Sequence, residues 1–169
     1  MELLGVRLEL PANAPVVLLR EQSGDRRVLP IYIDTPEAKA IALALEGREM
    51  ARPMTHDLLR DVVAALGATV ERVTVTELRD STFYAELLLD VKGRTHVISS
   101  RPSDAIALAV RTGAPIFAGV AVLDEAGSVP QDEDQEEEVE EEEVEEEEII
   151  DEFRDFIDQV NPEDFGSNG

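Results

Sequence analysis

A chain of 169 residues with 43% hydrophobic residues can bury one sizeable core and carry an appendage. Cysteine is absent, which excludes disulfides and thiolate metal centres. The net charge of −23 is uneven: residues 1–130 hold 18 acids and 14 bases (net −4), and residues 131–169 hold 20 acids and Arg154 (net −19). No stretch approaches the roughly 20 apolar residues needed to span a bilayer. The N-terminal MELLGVRLELPANAP lacks a basic segment followed by a long apolar run. The expectation is a cytoplasmic protein without a leader and without a membrane anchor.

In chain order, residues 2–10, 15–21 and 27–33 read as strands, with Ser23-Gly24-Asp25 turning the chain between the second and third. Thr35-Pro36-Glu37 predicts a helix start: Thr35 as cap, the proline in the first turn, the acid at the positive helix end. That helix should stop near Gly47. Thr55-His56-Asp57 predicts a second helix, with Leu58, Leu59, Val62, Val63 and Leu66 on one face and Gly67 at its end. Strands are expected at 69–78, 82–91 and 94–99, a third helix from Pro102 to Gly113, and a last strand at 115–122. This order is not a strict strand-helix alternation, so it points to an α+β fold with helices on a mostly antiparallel or mixed sheet.

The segment AIALAL (residues 40–45) recurs as AIALAV (105–110), each after a strand and a proline with a nearby acid. The expectation is an internal duplication of a strand-helix unit. Alanines at 105, 107 and 109 cannot share one helix face, so this helix should pack closely on more than one side.

The folded domain is expected over 1–127 and an acidic low-complexity linker, too self-repelling to fold, over 128–148. A short amphipathic helix follows at 149–160, with Ile150, Phe153, Ile157 and Val160 on one side, then a flexible terminus at 161–169. A helix that short needs a surface to dock on, so a protein partner is expected for it.

The sequence has no Gly-rich phosphate loop, no GxSxG and no HExxH. Of two histidines, His96 sits in a strand and reads as a sheet-face residue, whereas His56 opens a helix. A helix N-terminus favours a neutral imidazole, as a general base requires; equally, THD can be a simple cap with Thr55 and Asp57. In Arg101-Pro102-Ser103-Asp104, free backbone N–H groups attract anions and Arg101 can grip a phosphate with two bonds. Asp104 can bind a metal, act as a base, or only balance the helix dipole, and the same holds for Glu37 at the matching helix start. Two readings of these helix starts follow: one composite site, or two well-capped ends.

The run RPSDAIALAVRTGAPIF resembles the signature of the bifunctional nuclease family, and PIYIDTPEAKAIALAL, RPMTHDLL, LGATVERVTV and STFYAELLL are similar to its successive blocks in the same order. The resemblance covers about residues 1–127 and extends to the acidic tail of actinobacterial members. It departs at Ser81, where members often carry glycine, and at Gly119-Val120-Ala121, where they often carry an acidic pair. The resemblance implies a duplicated α+β domain, a homodimer or higher homo-oligomer, and cleavage of RNA and DNA with limited specificity. On the matching blocks His56, Asp57, Arg101, Asp104 and Glu37 are the candidate catalytic residues, and Arg52, Ser103 and Thr55 the candidate substrate contacts. A divalent metal, magnesium or manganese, is a candidate cofactor, with Asp104 and Glu37 as ligands. The low body charge and the acidic tail oppose a polyanion, although Arg48, Arg52 and Arg60 could form a local basic patch that such a tail might cover. The competing expectation is an oligomeric interaction module with an acidic tether and a docking helix.

Overall fold

The computed structural model describes residues 1–48 and 50–130. The acidic linker beyond residue 130, the helix expected at 149–160 and the terminus at 161–169 lie outside the described residues. The chain divides into two units, Met1–Val129 and Pro130–Gly169.

Seven strands and four helices follow in the order β1 (Glu2–Glu9), β2 (Ala14–Arg20), β3 (Val28–Tyr32), α1 (Thr35–Leu45), α2 (Thr55–Ala65), β4 (Ala68–Arg79), β5 (Thr82–Val91), β6 (Arg94–Ser100), α3 (Pro102–Thr112), β7 (Ile116–Ala118) and α4 (Val120–Ala126). They build two sheets: an antiparallel β1-β2-β3 and a mixed β6-β5-β4-β7, in which only β7 runs parallel to its neighbour β4. The α+β class is therefore as the element order implied, with two sheets in place of one.

Binary patterning accounts for both sheets. Val17 and Leu19 of β2 and Leu29 and Ile31 of β3 alternate inward, and Val73 and Val75 of β4 do the same opposite Ala85, Leu87 and Leu89 of β5. These side chains join Ile41 of α1 and Ile106 and Leu108 of α3 in one continuous core. The β4–β5 hairpin closes through Asp80 and Ser81, both at positive φ (50° and 58°). A two-residue turn of this hand matches the strand twist, and it is the conformation for which glycine is the cheapest residue. A glycine in place of Ser81 would adopt this turn at lower backbone cost.

α3 lies at the centre. It touches α1, α2, β4 and β5, and its residues 102, 103 and 105–109 are buried. Only alanine between the larger side chains lets helices and sheet approach from several directions. α2 is different: none of its residues is buried, and Leu58, Leu59, Val62 and Leu66 are exposed. Only Val63 of its apolar set packs against the core.

Two expectations need correction. The last strand does not run over 115–122. It ends at Ala118, Gly119 caps α4, and the backbone N–H of Gly119 donates to Val75 O (2.8 Å). Helical spacing then buries Val122, the end of the expected strand, together with Leu123 just beyond it. The helix caps also shift by one residue: Asp34 caps α1 and Met54 caps α2, so Thr35 and Thr55 are already helical. Proline is tolerated at the second helical position as well as the first, because its missing N–H has no intrahelical partner there.

Candidate active site

Three helix starts meet at one place. α1 begins after Asp34 with Pro36 and Glu37 in its first turn, and α3 begins after Arg101 with Pro102 and Asp104 in its first turn. Both acids face the positive end of a helix dipole. α2 supplies His56 from its own first turn.

Arg101 ties them together. Its Nε donates to Asp104 Oδ2 (2.7 Å), and its Nη2 donates to Asp104 Oδ1 (3.0 Å) and to Glu37 Oε1 (2.7 Å). The second oxygen of Glu37 is buried without a hydrogen-bond partner. The Arg101 side chain is 58% exposed, while the Glu37 side chain is 14% exposed. The donor therefore faces outward on a carboxylate that is largely inside.

His56 Nε2 lies 3.1 Å from Asp104 Oδ1. Arg101, more than His56, holds the Asp104 carboxyl below the usual carboxylate range, against the opposing effect of burial. An ionised carboxylate only accepts, so Nε2 carries the proton of this bond. A neutral His56 then keeps its lone pair on Nδ1, and the imidazole has a defined tautomer, the arrangement of a base oriented by an acid.

Asp57 is engaged elsewhere. Its Oδ1 accepts from Arg111 Nε (2.6 Å) and its Oδ2 accepts from the backbone N–H of Met54 (2.9 Å), closing the start of α2. Arg111 first, and Met54 second, lower the Asp57 carboxyl below its ordinary range. Arg111 did not figure among the sequence candidates. A basic residue in the last turn of a helix is the ordinary complement of the dipole, and nothing local connects it to Asp57.

Of the residues anticipated from sequence, the fold brings Glu37, His56, Arg101 and Asp104 together and leaves Asp57 beside them in a separate pair. Arg52 and Thr55 are exposed, in the α1–α2 connection and at the start of α2. Ser103 is buried at 6% exposure, so its hydroxyl is not presented to a ligand. The expected basic patch is partly neutralised, since Arg48 meets Glu46 (3.7 Å) and Arg60 meets Asp61 (2.8 Å). Among the described residues no group of three His, Cys, Asp or Glu side chains is placed to hold a metal ion. Arg101 occupies both oxygens of Asp104 and one of Glu37, the two expected ligands of magnesium or manganese, and leaves Glu37 Oε2 without a partner.

Residues 17–131 match the bifunctional nuclease domain. The chain belongs to the bifunctional nuclease domain family. It is 47% identical over 165 residues to an uncharacterized protein of Mycobacterium tuberculosis, a match that covers 98% of this chain and 96% of that protein. Bifunctional nuclease 2 of Arabidopsis thaliana is 33% identical over 112 residues, covering 63% of this chain and 34% of the plant protein. Bifunctional nuclease 1 of the same plant is 31% identical over 108 residues, covering 62% of this chain and 33% of that protein. Four members of the domain's candidate site, Glu37, His56, Arg101 and Asp104, fall inside the matched span. None of its described helices is long and apolar enough to cross a membrane.

Proposed function

We propose that this domain is a nuclease that cleaves phosphodiester bonds of RNA, DNA or both with limited sequence preference. The observation that carries the reading is the continuous hydrogen-bonded row His56–Asp104–Arg101–Glu37 across three helix starts. His56 takes a proton from the attacking hydroxyl at Nδ1, the atom its bond to Asp104 leaves free. Arg101 exchanges part of its carboxylate contacts for the phosphate and offsets the charge that develops on its oxygens. Glu37 and Asp104 hold the guanidinium, and the exposed Arg52 and Thr55 contact the rest of the strand in this reading. The steps written here are those of the chain's own residues, and added magnesium or manganese is an arm of the test.

The test is cleavage of labelled single-stranded RNA and DNA by wild type, His56→Ala and Asp104→Asn at matched stability, with chelator and with added magnesium or manganese. Cleavage that wild type shows and both variants lose supports the assignment. Equal cleavage by all three would move it elsewhere. Activity only with added metal would assign the carboxylates to the ion in place of Arg101.

A second reading, an oligomeric interaction module acting in the cytoplasm, draws support from the exposed Leu58, Leu59, Val62 and Leu66 of α2. It predicts a homo-oligomer by light scattering, partner capture that survives His56→Ala, and no cleavage under any metal condition.

A further inference from the structure

α2 carries the proposed base yet buries none of its side chains. Of its apolar side chains only Val63 packs against the core, so apolar packing fixes the rotation of this helix about its axis only weakly. Two polar contacts do that work, both made to α3. His56 bonds Asp104, and the next residue, Asp57, bonds Arg111. The Arg111 side chain is only 5% exposed. It points back along α3, where its Nη1 donates to Ala107 O (2.9 Å) and its Nε donates to Asp57 Oδ1 (2.6 Å). The guanidinium is thus oriented by its own helix before it reaches the neighbour. Asp57 passes the constraint on, because its other oxygen accepts from Met54 N–H at the start of α2. Both Asp57 oxygens are thus engaged within the domain.

We infer that Arg111 is a positioning residue: through Asp57 it clamps the first turn of α2 onto α3 and so sets His56 Nε2 against Asp104. The inference rests on the reading of His56 as the base, and it revises Asp57 from a catalytic candidate to the link in this clamp. A charged, geometrically forked pair of low exposure is suited to the task, since lysine or an apolar residue of similar length cannot satisfy both acceptors in fixed directions.

The experiment uses the full chain with Arg111→Met, Arg111→Lys and Asp57→Asn, read by long-range proton–nitrogen spectra of the imidazoles. The chain has two histidines, and the exposed His96 on β6 serves as internal reference. Wild type should show a single His56 tautomer protonated at Nε2. In Arg111→Met, His56 should move towards the averaged pattern of His96, with Arg111→Lys in between. If cleavage is present, kcat should fall about tenfold or more with KM within about twofold, as expected when a group is displaced without loss of substrate contacts. A folded Arg111→Met with the wild-type His56 signature overturns the inference. Should that variant not fold, Asp57→Asn decides, because it keeps an acceptor for Met54 N–H while weakening the pair; an unchanged His56 there is equally fatal. Absence of cleavage in wild type would sink the nuclease reading alone, and the spectra would still decide the clamp.

Discussion

Helices α1 and α3 contain nearly the same six residues, AIALAL and AIALAV, and occupy unlike surroundings. In α3 the alanines at 105, 107 and 109 are all buried, enclosed by α1, α2, β4 and β5. In α1 the equivalent Ala42 and Ala44 are only half-buried and Leu45 is 46% exposed. The first turns differ as well. Asp104 of α3 meets both His56 and Arg101, whereas Glu37 of α1 meets Arg101 and leaves one oxygen unpaired. One motif therefore serves as a central packing element whose first turn holds Asp104 against His56, and again as a flanking helix that supports the Arg101 guanidinium. A shared local sequence specifies a helix with a small-residue surface; what approaches that surface decides its use.

The strongest way to sharpen this contrast is at the two acids. Asp104→Asn should lower cleavage by about 10²-fold or more, because it disturbs the base and the phosphate grip together. Glu37→Gln should cost about tenfold, because only the support of Arg101 is weakened. Steady-state cleavage rates check the pair, and a larger loss for Glu37→Gln would reverse the roles assigned to the two helices.

Packing gives the next test. Ala107→Leu should destabilise the domain by about 1–3 kcal/mol through overpacking, whereas the matched Ala42→Leu should cost less than about 1 kcal/mol. Urea unfolding measures both, and similar values would mean that α1 is as tightly enclosed as α3.

The acid dependence follows from Asp104 and Asp57, whose carboxyls are held low by Arg101 and Arg111 respectively. A folded-state value below the unfolded value of about 3.9 stabilises the fold above roughly pH 4, and that stabilisation is lost as the pH falls through the lower folded value. Melting temperature should therefore drop as the pH falls below about 4, and Asp104→Asn should flatten that drop while starting lower at neutral pH. A parallel curve for the variant would show that Asp104 carries none of it. At the small end, Leu45→Gln on the exposed side of α1 should change stability by less than about 0.5 kcal/mol.

Much of this was legible from residue order. Periodicity and turn residues placed six strands and three helices, because alternation and the 3.6-residue repeat are local properties. His56, Arg101, Asp104 and Glu37 were visible as chemically able groups at helix starts. The end of the domain was not: Val120, Val122 and Leu123 suit a strand or a helix, and only the anchoring of Gly119 to Val75 makes the choice. Nor could the burial of Ser103 or the exposure of the α2 leucines be foreseen, since both depend on which face a neighbour covers.

By itself the sequence determined that this is a cysteine-free α+β domain with an acidic extension, that two near-identical helices begin with a proline and an acid, and that its only helix-borne histidine opens a third. Those are consequences of local propensity and composition. The tertiary structure alone decided that the three helix starts meet, that Arg101 reaches Glu37 as well as its near neighbour Asp104, and that Asp57 pairs with Arg111. The His56–Asp104, Arg101–Glu37 and Arg111–Asp57 pairings each join residues of different helices, far apart in the chain. Their energies arise only when long loops have closed and the groups have left water, which no local pattern records.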